Sequence, residues 1–134
     1  MPSVEEESRS AESAGERLLD GAELLKRVDG DLRLLSELIE LFRLEEPRRV
    51  MAIKTAIAQR DRQALTATTD AFDTSLQALS AGTASELTRK LEAVGRAGEW
   101  SEAAVVCAAL EEELGRLKQS FAMLQMQQGA TETQ

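Results

Sequence analysis

Apolar positions recur through most of this chain at alternating steps of three and four, which is the pattern of amphipathic helices. The stretch from Asp61 to Ala81 (DRQALTATTDAFDTSLQALSA) organises the rest. Leu65, Thr69, Phe72, Leu76 and Leu79 form a seam, and Thr66, Asp70, Asp73 and Gln77 form a polar row beside it. The last segment is the most regular, with Trp100, Ala103, Cys107, Leu110, Leu114, Leu117, Phe121 and Leu124 on one face. Two further seams run through Leu35, Leu38, Ile39, Phe42, Val50, Ile53 and Ile57, and through Leu87, Leu91 and Val94. A short apolar side of Leu24, Leu25 and Val28 comes before them.

Turn and cap residues divide these seams. Asp20 with Glu23 has capping-box spacing, and Leu18 and Leu19 read as a staple onto the bundle if they are not a separate helix. Asp29-Gly30-Asp31 is a turn, with Asp31 placed to cap the next helix. Pro47 lacks the N–H of an interior helical residue, which predicts a kink near Glu46 or two helices in nearly one line. Asp61 is placed to cap the central helix, expected over Arg62 to Leu79 and closed by Gly82 in a left-handed C-terminal position. Thr83 and Glu86 predict a second capping box, and Gly95 to Gly98 the next break.

Residues 1–13 are polar and acidic and read as a disordered tail, 14–126 as the helical bundle, and 127–134 as a second disordered tail. Long amphipathic segments joined by loops of about two to five residues predict an all-α, antiparallel up-down-up-down four-helix bundle with a short additional N-terminal helix.

Composition narrows the function. Hydrophobic residues make up 43% of the 134 but aromatic residues only 3%, which favours packed helices over a sheet. The net charge of −8 disfavours nucleic acid as a partner. No apolar run is long enough to span a membrane, and the N-terminus lacks the apolar core of a signal peptide. A single cysteine leaves no intramolecular disulfide, so a cytoplasmic setting is expected. There is no histidine, which removes imidazole catalysis, imidazole metal ligation and phosphohistidine chemistry together.

Three blocks give the chain a family resemblance. LLKRVDGDLRLLSELIELF (24–42), RDRQAL (60–65) and LTRKLEAVGRAGEWSEA (87–103) resemble the segments that open, precede and follow the active helix of histidine-containing phosphotransfer (HPt) domains, with Glu99 where Asp is usual. The likeness covers roughly Leu19 to Phe121 and implies a helical phosphorelay module. Laid on the family's active motif, approximately A-H-x-L-K-G-S-x-x-x-[LFV]-G-A, the chain runs from Thr69 to Ala81. Asp70 then stands at the phosphohistidine position, Asp73 at the lysine position and Thr74 at the glycine position. Sliding the register by one turn places Ser75 at an apolar site and loses the downstream leucines. Three replacements on one face describe a degenerate member, a pseudo-HPt.

Phosphotransfer needs a nucleophilic nitrogen and a neighbouring cation. Asp70 offers a weakly nucleophilic carboxylate, Asp73 adds a second negative charge on the same side, and Thr74 crowds the approach. The ordinary alternative for Asp70 and Asp73 is a solvated helix face. A hard-cation site using Thr66 and Gln77 as well has too few converging ligands on one straight helix, so no metal and no cofactor are expected. A glycosidase-like carboxylate pair lacks a cleft. Cys107 reads as a small core hydrophobe, Trp100 as a cover for the bundle end, and Phe42 and Phe72 as core.

What the resemblance implies is a non-enzymatic module that binds a response-regulator receiver domain or a histidine kinase as adaptor or inhibitor. Its candidate contacts are Thr66, Thr69, Asp70, Asp73, Thr74 and Gln77. The competing reading is a structural or oligomerisation bundle, in which the regular last helix pairs with another copy to give a homo-oligomer. Enzymatic phosphotransfer is the third reading, and the missing histidine opposes it. The unmodified chain is therefore predicted to take no label from a phosphorylated receiver domain. Transfer is expected, if anywhere, only in the triple variant Asp70→His, Asp73→Lys, Thr74→Gly, and label on the unmodified chain would overturn this.

Overall fold

Four chain reversals set the architecture, and all four are built alike. A left-handed residue ends each helix, at Asp29, Arg60, Ser80 and Gly98 (φ 54°, 53°, 57° and 78°). The next N–H then reaches back five residues, from Gly30 to the Leu25 carbonyl (2.9 Å), Asp61 to Ala56 (2.9 Å), Ala81 to Leu76 (2.9 Å) and Glu99 to Val94 (3.0 Å). This 6→1 bond satisfies a terminal carbonyl and turns the chain within about two residues.

The computed structural model describes residues 21–133. They form five helices: α1 Gly21–Arg27, α2 Leu32–Gln59, α3 Arg62–Ala78, α4 Gly82–Arg96 and α5 Trp100–Thr133. The described residues are helical with short connections and contain no strand. In the packing, α3 lies against α2 and α4, α5 lies against α4 and α2, and α1 rests on α2. The expected tail over 1–13, the Leu18 and Leu19 staple and the Asp20 cap lie outside the described residues.

Asp31 and Asp61 cap as expected. The Asp31 side chain accepts from the N–H groups of Arg33 (3.0 Å) and Leu34 (3.1 Å), and that of Asp61 from Ala64 (3.0 Å). The expected arrangement at the start of α4 is overturned. Ser80, not Gly82, takes the left-handed position, so the helix begins early, at Gly82. The N-cap is then the buried Ala81, which makes no side-chain cap bond, and Thr83 lies inside the helix.

Pro47 does not divide its segment: α2 is a single helix of 28 residues with the proline inside it. Its grip on α5 spans the proline. Before it, Glu46 pairs with Lys118 at 3.0 Å; after it, Lys54 pairs with Glu111 at 2.9 Å. Tertiary contacts on both sides outweigh the one backbone bond that proline removes. The last helix likewise continues to Thr133, past the tail expected from residue 127. Its final stretch contains no proline, and the helix runs through Gly129 and two threonines despite their weak helix propensity.

The core follows the seams. Leu65, Phe72, Leu76 and Leu79 of the central segment are buried, as are Ala103, Cys107, Leu110, Leu114, Leu117, Phe121 and Leu124 of α5. Phe42 stacks on Phe72 (centroids 6.4 Å apart, 7° between planes) and meets Phe121 edge-on (5.3 Å, 72°). The three phenylalanines therefore join α2, α3 and α5. Trp100 is partly buried against this core. Burial pushes the Cys107 thiol up, with the Glu111 carboxylate adding to the shift and Lys54 opposing it. It packs as a hydrophobe and is not a reactive thiolate.

The α3–α4 contact is the tightest. On its α4 side the buried Ser85 and Gly95 meet Asp73 and Leu65. A Cβ at Gly95 would fall inside the Leu65 side chain, whereas one at the helical Gly115 would meet open space. Overpacking costs about 1–3 kcal/mol, and removing a glycine from a helix returns up to about 1 kcal/mol. Gly95→Ala is expected to lower stability by about 1 kcal/mol and Gly115→Ala to raise it by about 0.5–1 kcal/mol in urea denaturation.

Candidate functional site

The polar row of α3 does not form one surface. Asp73 is half-buried and turned towards α4. Its Oδ1 accepts from the Ser85 hydroxyl, and its Oδ2 accepts from Gln77 Nε2 at 2.8 Å. Arg89 completes the cluster: Nη2 donates to Ser85 Oγ at 3.0 Å, and Nε lies 3.4 Å from Asp73 Oδ2. Proton donation therefore runs from Arg89 to Ser85 to Asp73, and the carboxylate is satisfied at both oxygens. Ser85 is 1% exposed, so this is a polar clamp inside the helix–helix contact.

Thr69 belongs to the interior as well. It is 1% exposed, and its hydroxyl donates to the Leu65 carbonyl at 2.8 Å within its own helix. That corrects its place among the candidate partner contacts, because it has no surface to offer. Thr88 repeats the device on α4, donating to the Ala84 carbonyl at 2.8 Å.

What remains on the outside is a narrow ridge. Asp70, Thr74 and Gln77 are exposed and Thr66 is half-buried. The Thr74 hydroxyl donates to the Asp70 carbonyl at 3.1 Å, so its side chain folds back on the helix. Asp70 has no ion-pair partner among the described residues, and Arg89 of α4 is held by Asp73 and Ser85. The two carboxylates thus diverge, one outward and one towards α4. They do not converge on a shared cation or flank a shared substrate. Among the described residues no group of three or more His, Cys, Asp or Glu side chains is arranged to hold a metal ion.

On the other side of α3 lies a groove of about 600 Å³ between α2 and α3. Ser75, Ala78 and Leu79 form its α3 wall, and Leu38, Leu41 and Leu44 are among its apolar α2 residues. Arg48 and Arg49 add positive charge to its lining. Asp73 faces α4 and Ser75 faces α2, so the ridge of Asp70 and Thr74 runs between the clamp and the groove. The periodicity argument missed this groove because it sorted α2 by its buried seam, leaving Leu41 and Leu44 unassigned.

No helix among the described residues is long and apolar enough to cross a membrane. In comparisons with known proteins, no family model matches the chain, and no curated protein or solved structure shows significant similarity to it.

The two carboxylates have different energetic roles. Removing Asp73 strands the buried Ser85 hydroxyl and frees Arg89, whereas Asp70 projects into solvent. Asp73→Ala is expected to lower stability by about 1–3 kcal/mol and Asp70→Ala to change it by no more than about 0.5 kcal/mol, measured by chemical denaturation.

Proposed function

We propose that this chain is a non-enzymatic docking module of the HPt type, a pseudo-HPt. It binds a receiver domain or a histidine kinase through the ridge of α3 and does not carry a phosphoryl group. The observation that carries this reading is the division of the polar row. Asp70, Thr74 and Gln77 face outward, while Asp73, at the position the resemblance assigns to lysine, is engaged by Ser85, Gln77 and Arg89. The ridge offers polar contacts without a nucleophilic nitrogen, and the Arg89 guanidinium of α4 is already engaged by Asp73 and Ser85. The apolar groove alongside gives a docking protein surface to bury.

Within this reading the four long helices form an antiparallel up-down-up-down bundle, with α1 as the short additional helix. Three contacts support the α2–α5 pairing: Arg43 to Gln125, Glu46 to Lys118 and Lys54 to Glu111 progress in opposite directions along the two helices. The α3–α4 pairing is supported in the same way, because Asp73 meets Ser85 and Arg89 while Leu65 meets Gly95. A cytoplasmic setting is consistent with a signalling role and a single buried thiol.

The competing reading, oligomerisation through the regular seam of the last helix, loses its surface. That seam is buried in the chain's own core from Ala103 to Leu124. A homo-oligomer would need a different face.

The test is titration of isotopically labelled protein with candidate receiver domains. Chemical-shift changes are expected at Asp70, Thr74 and Gln77 and along the groove at Ser75 and Ala78, with no transfer of phosphoryl label. Changes confined to the outward face of α5 would overturn the docking assignment.

A further inference from the structure

One face of α2 is built for a partner that the chain does not itself supply. Leu34, Glu37, Leu41, Leu44, Arg48 and Met51 follow one another at alternating steps of three and four, so they share a single stripe. All six are exposed. Every large hydrophobic residue exposed on α2 lies on this stripe, with Leu41 62% exposed, Leu44 70% and Met51 65%. The buried seam of the same helix, through Leu35, Ile39, Phe42, Ile53 and Ala56, is separate and fully used. The helix therefore has two apolar faces, of which the fold covers one.

The stripe is complementary to itself when reversed. A two-fold axis crossing α2 between Phe42 and Arg43 sets Leu34 opposite Met51, Glu37 opposite Arg48 and Leu41 opposite Leu44. Each apolar residue then meets an apolar residue, and each charge meets its opposite. Neither Glu37 nor Arg48 makes an ion pair within the described chain, although neighbouring charges on the helix do: Arg43 with Glu40 and Arg49 with Glu45. The two charges that the two-fold brings together both lack an ion-pair partner within the described chain.

We propose that α2 is the interface of an isologous dimer in which two copies of this chain pack antiparallel through the stripe from Leu34 to Met51. Two reciprocal Glu37–Arg48 pairs fix the register, and the central leucines form its dry middle. This goes beyond the docking reading and does not rest on it. Leu41, Leu44 and Arg48 also wall the groove, so the dimer closes part of that groove in each copy.

The experiment is sedimentation equilibrium of the full chain over a wide concentration range, in the absence of any partner. Three variants accompany it: Glu37→Arg, Arg48→Glu and the charge-swapped double variant. Both positions of charge are solvent-exposed, and circular dichroism checks that each variant keeps its helix content. The expected result is a reversible monomer–dimer equilibrium. Each single variant weakens it at least about tenfold by placing like charges opposite one another, and the double variant restores it. A chain that stays monomeric at the highest concentration overturns the proposal. So does a dimer that the single variants leave intact, or one that the double variant fails to restore.

Discussion

The contact between α3 and α4 governs what this chain displays. Two features set it. Gly95 has no side chain, so Leu65 sinks against the α4 backbone. At the other end Asp73 is held by Ser85, with Arg89 behind it. Close apolar approach and a satisfied polar clamp act on the same pair of helices. Without the hydroxyl a half-buried carboxylate faces a packed surface and loses a strong hydrogen bond.

That contact determines which chemistry the central helix retains. A carboxylate bound to a neighbouring helix does not offer charge to an incoming phosphate. The guanidinium on that helix is used to hold the carboxylate. Asp70 is left alone on an open ridge between the clamp and an apolar groove. The proposed adaptor role rests on this division of the polar row into one structural residue, Asp73, and three others left at or near the surface. The exposed stripe of α2, which the proposed dimer would use, shares Leu41, Leu44 and Arg48 with the wall of that groove.

Much of this was legible in the sequence, and the failures are informative. Local rules worked where the cause is local. Asp31 and Asp61 cap their helices, and the seams of α3 and α5 are buried at nearly every expected position. Gly82 misled because the left-handed position went to Ser80, one of three non-glycine residues that accept it here in exchange for the 6→1 bond. Pro47 does not split α2 into two helices, and α2 pairs with α5 on either side of it, at Lys118 and Glu111. Asp73 was placed beside Asp70 because one helix was considered at a time. Its true partners, Ser85 and Arg89, lie in the following helix, beyond what the periodicity of one helix can show. Thr69, Ser85 and Thr88 show the same limit: polar residues with internal hydrogen-bond partners pack as core.

The clamp is most directly tested by a double-mutant cycle on Asp73 and Ser85, using Asp73→Ala, Ser85→Ala and both together in chemical denaturation. A charge-assisted hydrogen bond inside the helix contact predicts a coupling of about 1–2 kcal/mol, with the double variant little worse than either single one. Additive losses, with no coupling between the two positions, would contradict the account and return Asp73 to the solvated face of the helix.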